Sequence, residues 1–129
     1  MAISAYSAGL GHIGIPTDNV QETKDFYRKL GFAPVHDGVN PAGNQQVAFL
    51  QLGNILIETY EEKPARAPGA INHLAIACTD IQAAYREAKA LGLKILSNGI
   101  ESLPFWDNGV SFFIIEGRNA ERIEYCQRF

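Results

Sequence analysis

Apolar and polar positions along the chain follow the same order twice. The segment GHIGIPTDNVQETKDFYRKLGF (11–32) aligns without a gap with NHLAIACTDIQAAYREAKALGL (72–93), at an offset of 61 residues. In each copy a short alternating apolar run precedes a longer run with helical spacing, which ends at a leucine–glycine pair. A repeat of this kind constrains the architecture before any single element is assigned.

Each copy contains one predicted amphipathic helix. The first begins at Asp18 or Asn19 and the second at Thr79 or Asp80, because these side chains accept hydrogen bonds from the free N–H groups of a helix start. A glycine follows each helix, where a left-handed cap is expected. The predicted buried stripe of the first helix consists of Val20, Phe26, Tyr27 and Leu30.

Three strands are predicted after each helix. They lie near 33–36, 46–52 and 55–60 in the first half, and near 93–97, 109–116 and 121–127 in the second. Gly53-Asn54 is a tight hairpin turn, and DGVNPAGNQQ (37–46) is a polar loop. The pattern therefore predicts an α+β fold.

The predicted fold consists of two tandem βαβββ modules within one domain, residues 1–129. Module 1 covers about residues 10–60 and module 2 about 71–127. The segment EEKPARAPGA (61–70) holds two prolines and links the modules.

Two histidines and two glutamates occupy matching positions of the repeat. His12 and His73 each open the first strand of a module, and Glu58 in ILIETYE matches Glu124 in ERIEYCQ. Because side chains alternate along a strand, the neighbouring isoleucines face the helices and these four residues face the other way. If both sheets curve about one axis, the four side chains converge. Two imidazoles and two carboxylates suit a divalent transition metal with open positions for substrate.

Each of these residues, taken singly, is more often a solvated side chain on the wet face of a strand. The matched register of two histidines and two glutamates favours a metal site instead. His36 has no partner in the repeat and is expected to be exposed. Cys78 is expected to fill the core, and Cys126 shares the face of Glu124.

Composition narrows the function classes. The chain has 129 residues, 47% hydrophobic and 19% charged, which are values of one globular domain. The net charge of −3 argues against nucleic acid or an anionic membrane as partner. No run reaches the ~18 apolar residues of a membrane-spanning helix, and the first residues lack the basic and apolar regions expected of a signal peptide. A cytoplasmic protein is predicted, and two cysteines are too few for a disulfide framework.

The chain resembles the vicinal oxygen chelate superfamily, which includes glyoxalase I, fosfomycin resistance transferases, methylmalonyl-CoA epimerase, extradiol dioxygenases and bleomycin-binding proteins. The resemblance covers essentially the whole chain, through GHIGIPTDNVQETKDFYRKLGF, NHLAIACTD, GNILIE and ERIEYC. It implies a cupped mixed sheet around a metal site, with the helices on the outer face. It also implies a homodimer.

The order of ligands is most similar to that of glyoxalase I. That enzyme has His, Glu, His and Glu, which match His12, Glu58, His73 and Glu124. The resemblance implies one divalent ion, whether nickel, zinc, cobalt or manganese, and enediolate chemistry. It also implies Glu124 as the catalytic base, with Glu58 as a second proton carrier.

The glutathione contacts of glyoxalase I do not carry over. Pro16 stands where that enzyme usually has arginine, and Glu62 stands where it usually has asparagine. Phe105 and Trp106 in LPFWDNG are candidate apolar walls of a substrate pocket, or else pack on the loop or a dimer partner. We expect a glyoxalase I-type lyase or isomerase acting on a small substrate with vicinal oxygens. An epimerase, a dioxygenase and a non-enzymatic resistance protein are the alternatives.

Overall fold

The computed structural model describes residues 2–129, which form two compact units. Unit 1 runs to Pro64 and unit 2 begins at Ala65, so the division falls inside the predicted linker. Unit 1 contains a short 3-10 helix (Ile3–Tyr6), β1 (Ile13–Thr17), α1 (Val20–Lys29), β2 (Ala33–Asn40), β3 (Gln45–Leu52) and β4 (Ile55–Glu61). Unit 2 contains β5 (Leu74–Ala77), α2 (Ile81–Ala90), β6 (Glu101–Leu103), β7 (Val110–Glu116) and β8 (Arg122–Arg128).

Each unit forms one four-stranded mixed sheet with the same strand order. The orders are β1-β4-β3-β2 and β5-β8-β7-β6. In each sheet the first strand runs parallel to the last strand of its unit, and the other neighbours are antiparallel. The predicted α+β fold of two βαβββ modules is confirmed. No helix within residues 2–129 combines the length and the apolar character needed to span a bilayer.

Both helices begin and end where the sequence predicts. Asn19 and Asp80 each accept a hydrogen bond at 3.0 Å from the backbone N–H three residues further on. This satisfies one of the free donors of the first helical turn. Gly31 and Gly92 follow the helices with φ of 97° and 72°, a region that residues with a β-carbon rarely adopt.

One face of each sheet packs against the helix of its unit. Ile15 and Ile57 are buried there in unit 1, and Ile76 and Ile123 are buried in unit 2. The side chains that alternate with them point to the opposite face, called the open face of each unit. The predicted assignment of strand faces is therefore correct, and it determines which residues are available to a ligand.

The buried side of α1 differs from its predicted stripe. Phe26 and Leu30 are only half-buried, whereas Thr23 is fully buried. The Thr23 hydroxyl donates to Oγ1 of Thr17 at 2.9 Å, so its burial leaves no donor unsatisfied. A polar residue thus occupies a core position that hydrophobicity alone does not indicate.

The strand predicted near 93–97 is wrong. Within that segment a single bridge links Ile95 to Ile115. The strand that pairs with β7 at the edge of the sheet is β6, further along the chain. The hydroxyl of Ser97 accepts the backbone N–H of Ile114 at 2.9 Å. In a regular antiparallel ladder a backbone carbonyl would accept this N–H. Because the Ser97 hydroxyl accepts it instead, regular pairing with β7 stops and resumes only at β6.

The polar loop predicted at 37–46 is also wrong in its extent. Strands β2 and β3 pair through most of it, and only 41–44 form the turn. Lys24 of α1 forms an ion pair with Asp37 of β2 at 2.9 Å, which ties this hairpin to the helix. Polar residues are tolerated here because β2 is a largely exposed edge strand.

Tyr125 is half-buried beside the core of unit 2 and gives the unit a pH dependence. Its ring stacks on Phe113 with centroids 5.3 Å apart. Burial, with a smaller effect of Cys78, raises the pKa of Tyr125 to about 12. An unfolded chain titrates tyrosine near pH 10. This residue's contribution to stability is therefore full below about pH 10 and is lost as the pH rises toward 12.

Replacing Tyr125 with phenylalanine isolates that contribution. We expect the free energy of unfolding of wild type to fall more steeply between about pH 9 and 12 than that of Tyr125→Phe. Urea titrations of both proteins across this range measure the difference. Parallel pH profiles would show that the phenol titrates alike in the folded and unfolded chain.

Candidate metal centre

Strands β1 and β4 bring His12 and Glu58 together in unit 1. The strands are parallel, and Glu58 lies opposite Gly14. Gly14 follows His12 by two residues, so His12 and Glu58 share the open face. Nε2 of His12 is 3.6 Å from Oε1 of Glu58. The imidazole also meets the ring of Phe49 edge-on, with centroids 5.9 Å apart. The side chains remain 47% and 29% exposed, so a ligand can reach them.

Strands β5 and β8 repeat this arrangement in unit 2. Glu124 lies opposite Ala75, which follows His73 by two residues. Nε2 of His73 is 3.8 Å from Oε1 of Glu124, and the side chains are 41% and 19% exposed. The two units thus place the same residue types at the same register, as the sequence predicted within each module.

Asn72 fixes the orientation of the His73 ring. Its Oδ1 lies 3.0 Å from Nδ1 of His73. A carboxamide oxygen only accepts hydrogen bonds, so in the tautomer with Nδ1 protonated His73 donates to Asn72 and leaves its Nε2 lone pair available to an ion. Partners of this kind hold metal-binding histidines in other proteins. The sequence interpretation missed Asn72, although its position directly before His73 is a visible signal.

The donor atoms fit a divalent ion. At 3.6 and 3.8 Å the two histidine–glutamate pairs are too far apart for good hydrogen bonds. Ligand atoms about 2.0–2.2 Å from one ion lie ~3–3.5 Å apart, so small side-chain shifts bring each pair onto an ion. Over residues 2–129, neither unit alone collects three or more His, Cys, Asp or Glu side chains in a metal-binding group. The use of all four residues at one ion stays a prediction.

A cavity of about 370 Å³ adjoins Glu58. Its lining residues are Asn40, Gln45, Val47, Glu58, Tyr60, Glu61 and Glu62. Burial, then the charges of Glu62 and Glu58, raise the pKa of Tyr60 above its usual value of 10. The phenol therefore stays protonated at neutral pH, among three carboxylates. This part of unit 1 is unfavourable for an anionic ligand.

The remaining predicted residues take different positions. His36 is exposed, as predicted. Cys126 lies on the open face, where burial and then the charge of Glu124 raise the pKa of its thiol. Cys78 is half-buried rather than a core residue. Both thiols remain protonated at neutral pH, since burial also raises the pKa of Cys78.

Phe105 and Trp106 are 57% and 63% exposed in the loop between β6 and β7. Their role as walls of a substrate pocket stays a prediction. The guanidinium carbon of Arg128 lies 3.7 Å from the centroid of the Trp106 ring. This contact joins residues 22 positions apart, and nothing in the local sequence signals it.

Two tandem βαβββ units, each with one four-stranded mixed sheet, are the arrangement of a vicinal oxygen chelate fold. The sequence model of the Glyoxalase/Bleomycin resistance protein/Dioxygenase superfamily matches residues 9–118. The chain belongs to that superfamily.

The chain is also similar to individual proteins and solved structures. The chain is 31% identical over 127 residues to uncharacterized protein YwbC of Bacillus subtilis (strain 168), covering 92% of this chain and 97% of that protein. A glyoxalase family protein from Enterococcus faecalis has a similar structure, with a TM-score of 0.78 at 23% identity, covering 94% and 98% of the two chains. The fosfomycin resistance protein FosX from Listeria monocytogenes, crystallised with Mn(II) and sulfate, has a TM-score of 0.74 at 13% identity, covering 95% and 94%.

Proposed function

We propose that the protein is a metal-dependent lyase or isomerase of the glyoxalase I type, acting on a small substrate with two adjacent oxygens. One observation carries this proposal. Each unit places a histidine Nε2 within 3.6 or 3.8 Å of a glutamate Oε1 at equivalent strand positions. Superfamily membership supports an enzyme without specifying the reaction.

The proposed ligands are His12, Glu58, His73 and Glu124, and the ion is nickel, zinc, cobalt or manganese. The Mn(II) held by FosX supports a divalent ion in this fold. When bound, such an ion supplies Lewis-acid stabilisation of the negative charge that develops on an enediolate. The histidines orient the site, and His73 is further held by Asn72.

The glutamates move the proton. Glu124 takes a proton from the carbon next to the substrate carbonyl and returns it to the neighbouring carbon. Glu58 is the second proton carrier. Glu124 is the less exposed of the two, at 19% against 29%, which supports a base that lies inside the site rather than in bulk solvent. A general base needs this kind of positioned carboxylate within hydrogen-bond reach of the substrate.

The substrate is proposed to differ from the glutathione adduct of glyoxalase I or to bind differently. Glu58, Glu61 and Glu62 all line the cavity beside the proposed site. A glutathione carboxylate placed there would meet negative charge rather than an arginine. The acidic cavity supports a substrate whose part nearest Glu58 is neutral.

A homodimer and a cytoplasmic location are also part of the proposal. Large apolar side chains at Ile3, Leu10 and Ile71 are 86%, 76% and 84% exposed. Association of two chains would remove such side chains from water, which supports a dimer.

Glu124→Gln tests the proposed chemistry. Metal-loaded protein is assayed in D₂O with methylglyoxal, with and without glutathione, and with simple 2-hydroxyketones. Incorporation of deuterium next to the carbonyl is the readout. We expect the substitution to lower the exchange rate at least ~100-fold, because the amide cannot act as a base.

Glu87→Gln is the matched control, since Glu87 is an exposed carboxylate on α2. It is expected to exchange deuterium at the wild-type rate. Equal rates for Glu124→Gln and wild type would reject Glu124 as the base. The absence of exchange in wild type with every metal and substrate would count against the enzyme and favour a binding protein.

A further inference from the structure

An aromatic residue with a strained backbone contacts an arginine at the end of β8. Trp106 has φ of 64°, in the left-handed region that bulky residues rarely adopt. Its side chain is largely exposed, so core packing does not explain this conformation. The guanidinium of Arg128 lies 3.7 Å over its ring, well within cation–π distance. The backbone N–H of Phe129 donates to the carbonyl of Gly109 at 3.0 Å, which holds the loop against β8.

Arg128 shares the open face of unit 2 with Glu124. The two residues are four positions apart on β8, a rise of ~13 Å along the strand. Between them on that face lie Cys126 and its two cross-strand neighbours, Ala77 and Phe112. Along β8 the face therefore carries Arg122, then the carboxylate beside the imidazole, an apolar middle, and Arg128 at the far end.

We propose that Arg128, held by Trp106, binds a carboxylate at the far end of the substrate. This inference rests on the proposed function, because it assigns the other end of the substrate to the site of His73 and Glu124. A guanidinium stacked on an indole keeps its N–H edge free for a bidentate contact with a carboxylate. The substrate class is thus an elongated acid with two adjacent oxygens at one end and an apolar chain between the ends.

A pair of hydroxamates tests this subsite without knowledge of the natural substrate. Suberic acid monohydroxamate carries a chelating group and a carboxylate at opposite ends of a six-methylene chain. Octanohydroxamic acid has the same chelating group and no carboxylate. Calorimetric titration of Ni²⁺-loaded protein compares their affinities. We expect wild type to prefer the carboxylate probe by about tenfold or more.

Arg128→Gln is expected to abolish that preference while octanohydroxamic acid binds as before, which also shows that the variant is folded. Arg128→Lys, which keeps the charge but loses the planar fork, is expected to retain only part of it. Trp106→Ala is expected to weaken it as well. The matched control is Arg122→Gln, which is exposed on the same face but on the other side of Glu124 from Arg128, and which is expected to keep the full preference.

The outcomes separate this subsite from the metal site. Equal affinity of wild type for the two probes would overturn the subsite, as would a preference that survives Arg128→Gln. An equal loss in Arg122→Gln would overturn it too, because general charge attraction would then be the cause. In these cases octanohydroxamic acid still binds and the metal site stands. Failure of both probes to bind would overturn the subsite together with the proposed function.

Discussion

His73→Ala is expected to lower the affinity for a divalent ion by more than about 100-fold. The reason is that Nε2 of His73 lies 3.8 Å from Oε1 of Glu124 in the proposed ligand set, with the ring held by Asn72. Even loss of a residue that only orients a metal ligand typically costs about 10- to 100-fold in affinity. Removal of the ligand itself therefore costs more. Competition titration of Ni²⁺ or Zn²⁺ against a chromophoric chelator measures the change.

His36→Ala is the matched control for that experiment. His36 is exposed, and its ring lies 5.9 Å from the ring of Phe49, the same distance as His12. Its metal affinity is expected to equal that of wild type, because no glutamate at a matching strand position faces it. An equal loss in both variants would mean that histidines in general bind the ion. Unchanged affinity in His73→Ala would reject His73 as a ligand.

Phe113→Ala is expected to destabilise the protein by about 3–5 kcal/mol. The side chain is 0% exposed at the centre of unit 2. Its ring centroid lies 5.2 Å from that of Tyr85 on α2 and 5.3 Å from that of Tyr125 on β8. The substitution therefore leaves a cavity and also removes two aromatic contacts, one to the helix and one to the neighbouring strand.

Urea unfolding followed by circular dichroism measures this loss. Phe105→Ala is the control, because Phe105 is 57% exposed and a surface substitution changes stability by only about 0.5 kcal/mol. A loss in Phe113→Ala no larger than that of the control would contradict the position of Phe113 in the core. Because α2 and β8 meet at this ring, the substitution is also expected to loosen the strand that carries Glu124.

The repeat made the topology predictable from the sequence. Asn19 and Asp80 cap their helices, and Gly31 and Gly92 end them, because these signals are local and depend on backbone hydrogen bonds and φ. The missing strand near 93–97 was not predictable in this way. Ser97 interrupts the ladder through a hydrogen bond to a residue of β7, and such a contact depends on tertiary structure.

The candidate site likewise combines features that the local sequence predicts with features that depend on tertiary structure. Strand alternation was sufficient to predict that His12 and Glu58 share a face, and likewise His73 and Glu124. The separation of each pair depends on the parallel register of two strands that are distant in sequence. The contact of Trp106 with Arg128 depends further on one left-handed residue in a loop, which residue type does not reveal.

The number of ions bound per chain tests the central claim most directly. Metal-free protein is dialysed against Ni²⁺, and separately against Mn²⁺, and the bound metal is measured by elemental analysis. A site built from His12, Glu58, His73 and Glu124 predicts one tightly bound ion per chain, and its loss when all four are replaced by alanine. Two ions per chain would show that each pair acts alone. No bound ion, or binding that survives the fourfold replacement, would contradict the metal centre itself.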